Sequence, residues 1–160
     1  MTLDFDRSGI VVVPMDASSV TDACWDFQRS GQDRAVRFVR GSKMASANGV
    51  FDQFAAALQF PYYFGENWAA FAECIQDLSW LPASHYVIVV LESEALLTVT
   101  DAVLKPFRTV LRDCCKLWPL GFDLDQPWAR QPAVFQVMLQ TADAHSQALQ
   151  QLFLPDRSPV

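Results

Sequence analysis

The chain of 160 residues is poor in the groups most enzymes use: it has two histidines, His85 and His145, and four cysteines. Neither histidine lies in an H-E-x-x-H or H-x-x-E-H context, and no G-x-S-x-G, G-x-G-x-x-G or Walker-type loop occurs. Those absences remove the usual routes to zinc hydrolysis, serine acyl transfer and nucleotide binding. A Cys74–His85 nucleophile pair is conceivable, but no third residue is in sight to orient the base. Cys24, Cys74, Cys114 and Cys115 form no C-x-x-C pair and no zinc spacing, so they read as reduced, core-packed thiols. No apolar run approaches the ~18–20 residues of a bilayer span. The opening Met1-Thr2-Leu3-Asp4-Phe5-Asp6 lacks the basic n-region of a secretory leader. The expectation is a cytoplasmic protein with no membrane contact, metal or cofactor.

Basic charge is also scarce, with 12 Lys and Arg against 18 Asp and Glu and a formal net charge of −6. A phosphate-backbone binder needs the opposite balance, so direct nucleic-acid binding is not expected. A basic protein partner is permitted. At 51% hydrophobic and 19% charged residues, the chain is far too apolar for disorder. Its length suits one domain with a substantial core.

Strand and helix patterns alternate along the chain. Ile10–Val13 is a β-branched run stopped by Pro14, and Ser18 or Ser19 is placed to cap a helix over Thr21–Gln28 that ends at Gly31. Arg34–Arg40 alternates polar and apolar, which predicts a strand with one wet face. Val50, Phe54, Ala57 and Leu58 share a helical stripe that closes before Pro61. A further helix is predicted from Asn67 to about Trp80. Tyr86–Leu91 is uniformly apolar, as a strand covered on both faces would be. A helix follows from Thr100 or Asp101, with Pro106 predicting a later start or a kink. Leu117–Pro132 reads as irregular, Ala133–Leu139 as the last strand, and Asp143–Phe153 as a terminal helix before a frayed tail from Pro155. The sum is α/β, with a three- to four-stranded, mostly parallel sheet flanked by helices.

The most informative stretch is Phe60–Trp80, an aromatic loop leading into an amphipathic helix. Trp68, Phe71, Ile75 and Leu78 form its inward stripe, and Ala69, Ala72, Glu73, Gln76 and Asp77 take the other side. Gly65 gives the entry turn backbone freedom, and Asn67 is a helix cap. Tyr62, Tyr63 and Phe64 put three rings beside an acidic helix face, the composition of a surface that anchors a basic protein. Composition alone favours a plainer reading, in which the rings seal the core and the acids are merely solvated.

The Pro-x-Tyr-Phe-Gly-x-Asn-Trp pattern of Pro61–Trp68, then Ala-Phe-x-Glu-Cys-Ile at 70–75 and Asp77-Leu78-x-Trp80-Leu81, resembles the barstar family of ribonuclease inhibitors. The resemblance spans residues 34–140. It implies a barstar-like domain there, with 1–33 as a strand–helix extension packed on the same domain and 141–160 as terminal helix and tail. It further implies a non-catalytic, immunity-type inhibitor whose acidic helix and preceding loop enter the cationic active site of a ribonuclease or other basic toxin. Tyr63, Gly65 and Asn67 match contact positions of the family's loop, and Glu73 matches its central acid, as Glu where the best-known inhibitor has Asp. Ala69 and Ala72 stand where the family usually carries an aspartate and an aromatic contact, and Asp101 aligns loosely with a later acid. The implied partner site is Tyr62, Tyr63, Gly65, Asn67, Glu73, Gln76 and Asp77. The alternative use of the same fold is an interaction or regulatory module with a target other than a ribonuclease.

Overall fold

The β-branched and aromatic runs form four strands in a computed structural model that describes residues 1–154. These are β1 (Gly9–Val13), β2 (Arg34–Arg40), β3 (His85–Leu91) and β4 (Val134–Gln140). All neighbours pair in parallel, in the order β1-β4-β3-β2. The two central strands, β3 and β4, are almost wholly buried, which is why β3 reads as a continuous apolar run, while β4 also buries Gln136 and Gln140.

Five helices cover the sheet: α1 (Ala17–Arg29), α2 (Ala47–Leu58), α3 (Trp68–Asp77), α4 (Asp101–Leu117) and α5 (Ser146–Phe153). The first connection crosses from one edge strand to the other, and the later ones step back toward β1 through β3 and β4. Connections of one hand that run in opposite directions must pass over opposite faces. Accordingly α1 stands alone on one face, where Val20 and Cys24 pack with Val36, Val87, Val89 and Met138. The opposite face carries α2 to α5 over a larger core that includes Phe54, Leu58, Phe71, Ile75, Phe107, Leu111 and Phe153. Full burial of each such side chain contributes about 1.5–3 kcal/mol.

Several local expectations are corrected. Helix α1 starts earlier than Thr21, and its cap is Asp16, not Ser18 or Ser19. The Asp16 carboxylate accepts from the Ser19 amide at 2.8 Å and the Ser19 hydroxyl at 2.6 Å. Strand β2 has no wet face: α1 covers Val36 and Phe38, while Ala35 and Val39 join the larger core. Pro106 neither delays nor interrupts α4, which runs unbroken from Asp101. A short 3-10 turn, Asp143–His145, precedes α5. The tail from Pro155 lies outside the described residues.

Candidate protein-binding surface

The loop between α2 and α3 is folded by its own backbone. The Phe64 amide donates to the Pro61 carbonyl at 2.9 Å, which makes Tyr62 and Tyr63 the middle of a turn. Their rings meet edge to face at 5.6 Å and stand 100% and 65% exposed. Phe64 turns the other way, against Phe51 and Phe60 at centroid distances of 5.8 and 5.1 Å. One ring of the three thus holds the loop down while two are presented to solvent.

Asn67 locks the entry to α3. Its Oδ1 accepts from the Ala70 amide at 2.9 Å, and its Nδ2 donates to the Gly65 carbonyl at 3.2 Å. The first bond satisfies one of the amides a helix leaves unpaired at its start. Gly65 permits the second, because a Cβ there would sit 3.1 Å from Asn67 Nδ2. Between them Glu66 takes a left-handed backbone (φ 49°) and is exposed.

Along α3 the predicted stripe faces inward. Phe71, Ile75 and the following Leu78 are buried, and Trp68 packs on Phe51 at 4.8 Å. Ala69, Glu73 and Asp77 are exposed, and Ala72 and Gln76 are half-buried. Glu73 and Asp77 lie one turn apart, and neither forms an ion pair among the described residues. The helix carries no acid in its first turn and no base in its last. Cys74, beneath these acids, has its thiol pushed up by burial first and then by the Asp77 and Glu73 charges.

The C-terminal end of α3 is held from a distance. Trp118 Nε1 donates to the Ile75 carbonyl at 3.2 Å, and Arg130 donates to the Gln76 carbonyl. The Arg130 guanidinium lies 4.0 Å from the centre of the Trp118 ring. Burial lowers its pKa, an effect opposed by Cys114, Tyr86 and Asp77. The sequence offered no sign of this bracket. Nor did it single out Glu66, which adds a carboxylate at the start of the same helix.

The structure brings Tyr62, Tyr63, Gly65, Asn67, Glu73, Gln76 and Asp77 onto one loop–helix unit. It does not unite Cys74 with His85. The His85 ring bonds Ser84 Oγ at 3.0 Å and Asp6 at 3.1 Å and packs on Phe27 of α1, across the sheet from α3. Asp101, at the start of α4, has Lys105 at 3.9 Å. All four cysteines are free thiols; three are buried and Cys115 is half-buried. Among the described residues no cluster of His, Cys, Asp or Glu could hold a metal, and no helix is long and apolar enough to cross a membrane.

Sheet, helices and surface together define a three-layer α/β protein with a parallel sheet and an acidic, aromatic-led outer helix. Within that class, the chain belongs to the barstar family: the family model Barstar (barnase inhibitor) matches residues 34–140. That match runs from β2 to β4 and contains the whole of the loop–α3 unit, while β1, α1 and α5 lie outside it. No curated protein matches the chain.

Proposed function

We propose that this protein is a non-catalytic inhibitor that blocks a basic ribonuclease with the outer face of α3 and the Tyr62–Tyr63 turn, acting in the cytoplasm as an immunity-type partner. A ribonuclease active site must attract phosphate, and carboxylates of matching geometry occupy it without being cleaved. Glu73 and Asp77 supply the charge. Tyr62 and Tyr63 are the anchors, Gly65 and Asn67 set the loop geometry, and Gln76 borders the patch.

The observation that carries this reading is the placement of Glu73 and Asp77. Like charges one turn apart cost an exposed helix about 0.2–0.5 kcal/mol. Asp77 also ends the helix, where the macrodipole disfavours an anion by about 0.3–1 kcal/mol. Arg130 reaches the Gln76 carbonyl at this helix end from outside the helix, but neither carboxylate has an ion-pair partner among the described residues. A partner's cations supply that pairing. The family's description as an inhibitor of barnase agrees.

A second reading is a basic target that is not a ribonuclease. Ala69 favours it: this exposed position offers no carboxylate where the family usually has one. The purified chain is to be mixed with a panel of basic microbial ribonucleases, barnase included, and RNA cleavage followed. Stoichiometric loss of cleavage supports the inhibitor. A complex with a basic non-nuclease protein from the native cell, with every ribonuclease unaffected, supports the second reading. Turnover of RNA by the chain itself would contradict both.

A further inference from the structure

The connection from α4 to β4 reads as irregular in sequence, yet it is a built object. Gly121 takes φ +67°, and a Cβ there would lie 2.7 Å from the Arg130 carbonyl oxygen. That close approach lets Phe122 and Arg130 pair as an antiparallel bridge, with N–O distances of 2.8 and 2.9 Å. Inside the bridge the Gln126 amide donates to Asp123 O at 2.9 Å, the Ala129 amide to Gln126 O at 3.0 Å, and Trp128 Nε1 to the Asp123 carboxylate at 3.0 Å. A loop with this many internal bonds holds a defined surface.

That surface is apolar and acidic. Nine large apolar side chains are exposed among the described residues. Two of them are Tyr62 and Tyr63; four, Leu120, Phe122, Leu124 and Trp128, fall in this connection, and Leu117 ends α4 just before it. Asp123 and Asp125 are exposed beside them. Arg130, the sole cation from 117 to 132, turns its guanidinium onto Trp118 and the Gln76 carbonyl. The outward charge is therefore negative.

We propose that the 117–130 loop is a second contact surface for the same basic protein that α3 receives, an inference that rests on the α3 reading above. Arg130 joins the two surfaces, since it closes the loop and also holds the α3 carbonyl next to Asp77. Charge selects the occupant. Two copies of this chain docked through the loop would oppose Asp123 and Asp125 to their own equivalents, and like charges directly opposed cost several kcal/mol. A basic protein meets the same patch with complementary charge, and the aromatic and leucine side chains give it desolvated anchors.

The full chain, the triple variant Phe122→Ser/Leu124→Ser/Trp128→Ser and the variant Glu73→Gln are titrated by calorimetry into barnase and other basic microbial ribonucleases. The expected result is that the triple variant weakens binding by about tenfold or more while its thermal midpoint stays near that of the parent. Full-strength binding by the triple variant, with Glu73→Gln weakened, would overturn the loop's role and leave the α3 reading intact. Absence of binding by the parent chain to every ribonuclease would overturn the α3 reading and the loop's role with it. Sedimentation showing a parent dimer that the triple variant dissolves would make the loop a contact between copies and overturn the proposal. Should the triple variant unfold, hydrogen exchange on the parent complex decides: protection of amides 117–130 supports the contact, and unchanged exchange there refutes it.

Discussion

The Arg130 guanidinium carbon lies over the Trp118 indole, 4.0 Å from the ring centre, and from there one of its N–H groups reaches the Gln76 carbonyl. The last carbonyls of a helix have no partner within it, and α3 has no basic residue of its own in its last turn. Two residues some forty positions or more downstream do that work instead, Trp118 at Ile75 O and Arg130 at Gln76 O. Lysine would keep the charge but lose the planar stack and the fixed fork. Arg130→Lys is therefore expected to lower stability by about 1–2 kcal/mol, from the lost stacking and hydrogen bond, as measured by urea unfolding.

Asn67 makes one bond forward to Ala70 and one back to Gly65. Asn67→Ala removes both and is expected to cost about 1 kcal/mol of stability. Asn67→Asp keeps the acceptor for Ala70 and is favoured by the helix N-terminus, so urea unfolding should return most of that loss. Equal losses in the two variants would show that the Gly65 bond, not the cap, matters.

Burial raises the thiols of Cys24, to about 11, and Cys115, to about 12, from an ordinary 9.0. Cys114 is raised as well, by burial first and then by Cys115 and Asp113. An acid whose folded pKa is raised favours the folded state below the unfolded value and loses that contribution as pH climbs toward the folded one. Stability should therefore hold up to about pH 9 and fall above it, in the window toward the folded value near 11 for Cys24. Denaturant midpoints across that range check the sign. Alkylation of the native protein at neutral pH should be slow at all three thiols.

The family match begins at residue 34, but the sheet does not. Strand β1 pairs with β4 from Gly9↔Gln136 to Val13↔Gln140, and α1 covers Val36, Val87, Val89 and Met138. Gln136 Nε2 also donates to the Asp4 carbonyl at 2.8 Å, and Gln140 Nε2 to Met15 O at 2.8 Å. Deletion of residues 1–33 uncovers one whole face of the two central strands. The truncated chain is expected to be insoluble or molten, as read by near-ultraviolet circular dichroism and dye binding. A soluble, cooperatively folding truncation would mark the N-terminal unit as an independent addition.

Much of this was legible because periodicity reports burial. The continuous apolar run of β3 and the three-and-four spacing of Trp68, Phe71, Ile75 and Leu78 need no tertiary knowledge, and the acids on the reverse of α3 follow from the same spacing. The covered second face of β2 was not legible. Arg34 and Arg40, on the Val36–Phe38 face, look like the ends of a wet side until α1 lays Phe27 under Arg34 at 4.1 Å and Trp25 beside Phe38 at 5.2 Å. The cap of α1 went to Ser18 or Ser19 because three cap-forming residues lie within four positions, and only geometry chooses Asp16. The 117–132 loop was unreadable for a deeper reason: its order combines the internal Phe122–Arg130 bridge with bonds to Ile75 and Gln76, more than forty residues away.

On the proposed reading, Glu73 and Asp77, which have no ion-pair partner among the described residues, are there for a cationic partner. The measurement is the affinity of the parent chain and of Glu73→Gln/Asp77→Asn for a basic ribonuclease that the parent inhibits, at low and at high salt. The double variant is expected to lose about a hundredfold or more in affinity, chiefly through faster dissociation. Binding by the parent is expected to weaken steeply with salt, and the variant's residual binding to weaken far less. Equal affinity for the two proteins, with the same salt dependence, would contradict the account.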